Sequence, residues 1–193
     1  MSTWHYPDHI RYLAGVDEVG RGALAGDVIA AAVILPINHQ IDGLTDSKSL
    51  SKNRRMALYK QIVDAGGNFA IGQSSSREID NKNILIATLT AMRRAVDALP
   101  IIPDYVVVDG NQVPCWKYRS KAIVGGDSLV PQISAASVIA KVTRDHFMLL
   151  YDSLYPGYDF FSNKGYGTAS HIEALSVLGP TRIHRLSFAP LRS

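Results

Sequence analysis

The chain has 193 residues, 47% of them hydrophobic, and a formal net charge of +3. This length and apolar content predict one domain with a substantial core and exclude a largely disordered chain. The longest apolar run, residues 28–35, falls far short of the roughly 18 residues that a membrane span requires, and the N-terminus lacks the basic-then-apolar layout of a secretory signal. The lone Cys115 can form no internal disulfide, so we expect a cytoplasmic protein without a membrane anchor.

Two short apolar segments near the N-terminus predict neighbouring strands. The first leads into Asp17 and Glu18, and the second, residues 28–35, is rich in β-branched amino acids. A glycine-rich corner at residues 20–22 lies between them. Because side chains alternate faces along a strand, we expect a bulge or the glycine corner to break the pleat if both acids serve one centre. A hairpin turn with solvated acids is the plainer alternative.

The remainder of the chain alternates helical and strand-like patterns. A helix begins after Ser51, with Met56, Tyr59, Ile62 and Val63 predicted on its buried face. The alternation indicates an α/β fold in which helices pack on a mixed sheet, with a helical C-terminal extension. The later predicted elements are strand 69–72, helix 85–99, strand 105–109, strand 121–124, helix 131–154 and helix 169–178.

Three predicted strand ends carry acids next to glycine: Asp17 with Glu18, then Asp109, then Asp127. Carboxylates gathered at one edge of a sheet repel one another unless a cation lies between them. Oxygen ligands without nearby Cys or His favour Mg²⁺ or Mn²⁺, and such a set can hold two ions about 3.5–4 Å apart for phosphoryl transfer. Each acid taken alone is explained as well by a turn, or for Asp127 by a helix cap.

A nucleotide-binding enzyme is the other interpretation of the glycine-rich stretch. Gly20, Gly22 and Gly26 approximate the dinucleotide fingerprint, and Asp42 follows about twenty residues later. That fingerprint requires a helix directly after the glycines, whereas residues 28–35 are strand-like. The context therefore argues against it.

The excess positive charge lies in the C-terminal segment. Residues 161–193 contain four Lys or Arg against Glu173 alone, while the preceding residues are balanced. A basic edge beside a neutral body is typical of polyanion binding, although terminal helices are also basic for solubility. Arg21 and Lys48 lie in turns near the acids, where each could neutralise a phosphate or simply be exposed. The six histidines form no ligand pair at helical spacing, so we expect most of them to be surface or filler residues.

Six sequence blocks, in this order, resemble the signatures of bacterial type 2 ribonuclease H, ribonuclease HII. The match runs from about residue 13 to residue 188, and the order makes it specific although no single block is decisive. The blocks are VDEVGRG at 16–22, DSK at 46–48, VDG at 108–110, GDS at 126–128, ISAASVIAKVTRD at 133–145 and KGYGT at 164–168, and HRLSF at 184–188 adds the tail pattern of the family.

The resemblance implies a ribonuclease H-like catalytic domain over residues 1–160, with a basic helical extension, residues 161–193, packed on it. It also implies an endonuclease that cuts the RNA strand of RNA/DNA hybrids, and single ribonucleotides embedded in duplex DNA, with Mn²⁺ or Mg²⁺. The cut would leave 3′-hydroxyl and 5′-phosphate ends. By motif position, Asp17, Glu18, Asp109 and Asp127 would be the catalytic metal ligands, Gly20, Arg21 and Gly22 would read the ribose, and Tyr166 would stack at the junction with DNA. From their charge, we also expect Lys48, Lys164 and Arg185 to contact the substrate.

Two residues depart from the family pattern. Ala23 stands where proline is frequent, and Asp27 stands where a small residue or proline is usual; neither change removes a matched ligand. A non-cleaving hybrid-binding module with the same fold is the second hypothesis, and metal-dependent cleavage distinguishes the two. We expect a monomer.

Overall fold

The computed structural model describes residues 9–44 and 50–192. Its centre is a five-stranded sheet in the order β3-β2-β1-β4-β5. β1 pairs with β2, and β2 with β3, in antiparallel orientation, whereas β1 with β4 and β4 with β5 are parallel. The predicted mixed sheet is thus confirmed. The strands are β1 (Leu13–Val19), β2 (Val28–Ile34), β3 (Asn68–Ser74), β4 (Tyr105–Asp109) and β5 (Ser120–Ile123).

Helices cover both faces of this sheet. Alternate residues of β2 separate the two layers: Ala30 and Ala32 face the cluster that contains helix α3, while Ile29 and Ala31 face the cluster of α1 and α4. At Gly15 of β1 an added Cβ would lie 2.2 Å from the backbone of Gln132, so the start of α4 is pressed onto β1. The helices are α1 (Lys52–Asp64), α2 (Ser76–Lys82), α3 (Ile84–Asp97), α4 (Pro131–Leu154), α5 (Phe160–Asn163) and α6 (Ala169–Leu178).

Two details of the helices differ from the sequence-based predictions. The buried face of α1 consists of Arg55, Leu58 and Ile62, whereas Met56 and Val63 are 47% and 43% exposed. Ile62 is buried as predicted, and Tyr59 is half-buried. The predicted helix 85–99 is preceded by a separate helix, α2, because Asn83 between them adopts a positive φ of 70°.

The C-terminal residues pack onto the glycine-rich segment after β1. A buried cluster joins residues on both sides of position 160, so the predicted boundary between residues 1–160 and 161–193 crosses a shared core and stays a prediction. Within the part of the chain that the structure describes, no helix combines the length and apolar character needed to cross a bilayer. The shared cluster comprises Leu24, Ala25, Met148, Tyr158, Phe160, Leu175 and Ile183.

Candidate active site

Two of the predicted acids lie side by side at the carboxyl ends of parallel strands. β1 and β4 pair Val16 with Val108, so the residues that follow, Asp17 and Asp109, are neighbours across the sheet. Asp17 is buried, with 2% of its surface exposed. Asp109 accepts a hydrogen bond at its Oδ1 from the Gly126 N–H at 2.8 Å. This bond ties the end of β4 to the single 3-10 turn Gly126–Ser128, which carries Asp127.

Glu18 reaches the same region without a break in the strand. The pairing of β1 with β2 is regular through Glu18 and Val19, so the expected bulge is not there, and the chain turns only at Gly20, where φ is 92°. The Glu18 N–H donates to Asp17 Oδ1 at 2.7 Å. The Glu18 carboxylate lies 3.4 Å from Arg21 Nη1. The Glu18 carboxylate is therefore paired with Arg21, and its charge also acts on Asp17.

The surroundings of Asp17 disfavour its ionised form, as expected for a carboxylate that binds a cation. Burial raises its pKa well above the usual value, and the nearby charges of Glu18 and Asp109 raise it further, while hydrogen bonds from the Ser137 side chain and the Glu18 backbone lower it. Its Oδ2 is buried and accepts no hydrogen bond. A divalent ion would supply the missing partner and offset the repulsion among the carboxylates.

Carboxylate oxygens are the ligands that a hard cation prefers, but the four side chains do not converge on one point in this structure. Among residues 9–44 and 50–192, no three His, Cys, Asp or Glu side chains stand positioned to hold one ion. Asp127 is nearly buried, with 8% exposure, and Ser134 donates to its backbone carbonyl.

The glycine corner consists of two positions with different surroundings. Gly20 is buried, its φ is positive, and an added Cβ would lie 2.2 Å from Arg144 Nε. Gly22 is exposed, and an added Cβ there would meet no atom within 4 Å. Arg21 between them is exposed as well. The corner thus presents Gly22 and Arg21 to the outside while Gly20 is packed against a buried arginine.

That arginine, Arg144, fixes the shape of the corner. Its side chain is 1% exposed and donates to the carbonyls of Asp27 at 3.2 Å, Ala25 at 3.0 Å and Lys164 at 2.8 Å. Burial lowers its pKa, and the charge of Asp27 is among the groups that raise it. Asp27, one of the two residues that depart from the family pattern, is therefore a counter-charge for a buried cation.

Arg185 does not face a substrate phosphate in this structure. It is fully buried, with Nε and Nη2 donating to the Gly26 carbonyl at 3.0 and 2.7 Å and Nη1 donating to the Arg21 carbonyl at 2.8 Å. The predicted direct contact with a phosphate is incompatible with this burial. Arg185 instead holds the backbone of the corner.

Tyr166 lies on the loop that joins α5 to α6, next to this corner. Its side chain is 36% exposed, and the Arg144 guanidinium lies 5.4 Å from the centre of its ring. The carbonyl of the preceding Gly165 accepts hydrogen bonds from the N–H groups of Leu24 at 2.7 Å and Ala25 at 3.2 Å. The fold therefore brings Tyr166 to the glycine corner, although about 140 residues separate them in sequence.

A buried pair of histidines supports the Tyr166 loop. The Thr181 N–H donates to His184 Nδ1 at 2.9 Å, which assigns the proton of a neutral His184 to Nε2. That Nε2 lies 3.0 Å from His171 Nε2, and His171 Nδ1 lies 2.9 Å from the Tyr166 carbonyl. Burial lowers the pKa of both rings, that of His184 to about 4, with the neighbouring His171 contributing. The bonds thus run in one direction from Thr181 to Tyr166, and these two histidines are neither surface nor filler residues.

The two remaining predicted contacts are lysines. Lys164 is half-buried, and its Nζ lies 4.9 Å from the centre of the Phe161 ring. Burial lowers its pKa. Lys48 lies outside the described residues.

A model of the family described as ribonuclease HII matches residues 14–191 of this chain. The chain belongs to the ribonuclease HII family. The family resemblance and the ribonuclease H-like fold are thereby confirmed, and the assignment supports ribonuclease H activity.

Solved structures agree with this assignment. A ribonuclease H2 from Pyrococcus horikoshii OT3 is 25% identical, with 94% of this chain and 95% of that one covered and a TM-score of 0.78. The PCNA:RNase HII complex from Archaeoglobus fulgidus contains a chain that is 21% identical, with 94% and 97% covered and a TM-score of 0.77. Bst-RNase HIII in complex with Mn²⁺ is 18% identical, with 94% and 68% covered and a TM-score of 0.74. The last two comparisons establish the fold alone.

Sequence reasoning missed four residues that shape this ribonuclease HII site. Ser137 stabilises the ionised form of Asp17, Arg144 holds the corner, and His171 and His184 hold the Tyr166 loop. Three of them lie within the family blocks, which offered the only signal. Arg144 acts on a carbonyl 119 positions away in sequence, Ser137 acts on Asp17, and His171 contacts His184, and no local pattern reports such contacts.

Proposed function

We propose that this protein hydrolyses the RNA strand of RNA/DNA hybrids and cuts on the 5′ side of ribonucleotides embedded in duplex DNA. Water would attack the phosphorus, the bond to the 3′ oxygen would break, and the products would carry 3′-hydroxyl and 5′-phosphate ends. The observation that supports this most directly is the orphaned Oδ2 of buried Asp17 beside Asp109. Burying neighbouring ionised carboxylates is costly, and a bound cation offsets that cost.

Asp17, Glu18, Asp109 and Asp127 are the residues that would hold the ions. We infer Mg²⁺ or Mn²⁺, in a pair, because the donor set consists of carboxylate oxygens. When bound, such ions polarise the phosphodiester and make water a stronger nucleophile at neutral pH. Asp17 contributes a fixed, buried oxygen whose orientation is set by the Glu18 N–H and Ser137.

Recognition of the sugar would fall to the glycine corner and Tyr166. A 2′-hydroxyl can pair with backbone groups where no Cβ obstructs the approach, and the open space at Gly22 provides such a place. Tyr166, which Gly165 and Gly167 flank in sequence, offers an exposed ring face on which the adjoining deoxyribose could pack. Arg21 is exposed and close enough to the acids to balance a phosphate.

The decisive experiment uses a duplex with one ribonucleotide, incubated with Mn²⁺, with Mg²⁺ and with EDTA. We expect metal-dependent cleavage by the wild type and none by Asp17→Asn or Asp109→Asn. Asp64→Asn is the matched control, since Asp64 is an exposed acid at the end of α1. Mn²⁺ binding by calorimetry should weaken in the same two variants and not in the control.

Binding of the duplex without metal-dependent cleavage would instead support the hybrid-binding module. Near-normal turnover of either variant at saturating metal would remove that acid from the ligand set.

A further inference from the structure

A basic groove lies between α1 and α4, next to the loop that carries Tyr166. Its cavity has a volume of about 300 Å³. Of the described residues, four cationic side chains and a single carboxylate, that of Asp145, line it. The cations are Lys52, Arg55, Lys141 and Lys164; we call this set the basic groove.

The positive charge of the groove exceeds what its acid can balance. Asp145 lies 2.6 Å from Lys141 Nζ and 3.8 Å from Arg55 Nη1, so it is engaged with two of the cations. Lys52 and Lys164 lie on the other side. Burial lowers the pKa of Lys164, the charge of Asp145 raises it, and the charges of Lys52 and Lys141 lower it again, so the three ammonium groups lie near one another and share one acid. Such crowding is relieved by an anion.

An exposed aromatic ring lies close to both Lys52 and Lys164. Phe161 is 53% exposed, and the Nζ atoms of Lys164 and Lys52 lie 4.9 and 6.0 Å from the centre of its ring. A charged lysine pair around a solvent-facing ring combines phosphate neutralisation with a surface for sugar or base packing. This combination fits nucleic acid more closely than a small inorganic anion.

The groove also continues directly from the proposed catalytic site. Lys164 is followed by Gly165 and Tyr166, and its carbonyl is held by Arg144 of α4. On α4, Ser137 contacts Asp17, and Lys141 follows one turn later, about 6 Å along the helix axis. A strand that passes Tyr166 would therefore run on toward Lys164 and Lys52.

We propose that the basic groove binds phosphates of the DNA flank on the 3′ side of the ribonucleotide, beyond the position of Tyr166. This inference rests on the proposed function, because Tyr166 defines the direction in which the flank leaves the site. Lys52 and Lys164 contact the backbone, and Phe161 packs against a sugar or base between them. The groove thereby adds affinity for duplexes that extend past the junction.

The test measures duplex binding by fluorescence anisotropy in EDTA, so that no cleavage occurs. Lys52→Gln is compared with the wild type and with Lys60→Gln, a matched control, because Lys60 is an exposed lysine on the same helix that does not line the groove. We expect Lys52→Gln to weaken binding several-fold and to reduce the slope of log K against log salt by about one unit. Lys60→Gln should leave both quantities unchanged.

Duplexes trimmed on either side of the ribonucleotide show which flank binds the groove. The effect of Lys52→Gln should disappear when the 3′ flank is trimmed to the first deoxynucleotide, and persist when only the 5′ flank is trimmed. An unchanged salt slope, or a loss that follows the 5′ flank, would overturn the proposal. A third result would also overturn it: inorganic phosphate raises the Tm of the wild type but not of Lys52→Gln, while both bind the duplex equally. That result would assign the groove to a small anion. Because binding is measured without metal, its result does not depend on whether the protein cleaves the duplex. Failure of this proposal can therefore be distinguished from failure of the proposed function.

Discussion

Replacing each glycine of the corner by alanine should separate its structural role from its role in recognition. At Gly20 the new Cβ would lie 2.2 Å from Arg144 Nε and 2.7 Å from its Cδ, and φ is 92°. At Gly22 the new Cβ would meet nothing within 4 Å, and the backbone is outside the left-handed region. The two substitutions add the same atom to positions two residues apart, so each is the control for the other.

The expected magnitudes follow from these contacts. Alanine in a left-handed conformation costs roughly 1–2 kcal/mol. Displacing Arg144 would also weaken its bond to the Asp27 carbonyl, and a hydrogen bond from a charged donor contributes about 1.5–3 kcal/mol. Gly20→Ala should therefore lower the free energy of unfolding by about 3–5 kcal/mol, which for a chain of this length corresponds to a Tm decrease of roughly 6–20 °C. Gly22→Ala should change stability by less than about 1 kcal/mol.

Thermal unfolding and cleavage of the single-ribonucleotide duplex provide the assay. We expect Gly20→Ala to lose stability and activity together, whereas Gly22→Ala should keep its Tm and still cleave poorly because its methyl group obstructs the ribose. A Tm for Gly20→Ala close to that of the wild type would refute the proposed contact with Arg144. Full activity of Gly22→Ala would refute backbone recognition at that position.

Three other predictions concern single residues. Because the pKa of Asp17 is raised in the folded state, metal-free protein should lose stability as pH rises above about 4; urea unfolding should show this loss in the wild type and not in Asp17→Asn. The pKa of His184 is lowered, to about 4, so its effect on the free energy of unfolding has the opposite pH dependence. The stability that neutral His184 contributes is complete above the unfolded pKa of about 6.5 and is lost as pH falls toward 4. His184→Gln should therefore flatten the pH dependence of unfolding between these two values. Tyr166→Ala should impair cleavage at an embedded ribonucleotide more than cleavage of a continuous hybrid, while Tyr166→Phe retains the ring and the preference; equal loss on both substrates would leave Tyr166 without a role in choosing the junction.

Local signals were sufficient for most of the secondary structure. α4 and α6 have the predicted bounds because Pro131 begins the first, and Thr168 and Gly179 flank the second. β4 was equally clear, since an apolar run buried on both faces ends in Asp109. The face of α1 was predicted in part, with Ile62 and Tyr59 on the packed side, but the helix also buries Arg55, and periodicity treats an arginine as a surface residue.

The acids of the candidate site could be predicted from the sequence, but the buried residues that hold the surrounding loops could not. Strand ends place Asp17 and Asp109 together by topology, which an alternating α/β pattern already indicates. Arg144 and Arg185 look like ordinary basic residues in sequence, and only the fold shows that their guanidinium groups are buried against carbonyls more than 100 residues away. The pairing of His171 with His184 spans only 13 positions, but it joins a residue of α6 to one beyond that helix, so helical spacing does not report it.

The contact between Arg185 and Gly26 has a consequence for how the protein is made. It joins residues 159 positions apart, and the bond to Arg21 spans 164. On the ribosome, the strands of the sheet and the acids at their ends emerge before residue 185 exists. The corner can take its final shape only after residue 185 has been synthesised. A nascent chain that stalls before Arg185 should therefore contain the carboxylates and still be unable to recognise a ribose, so that nuclease activity is withheld until Arg185 has been added.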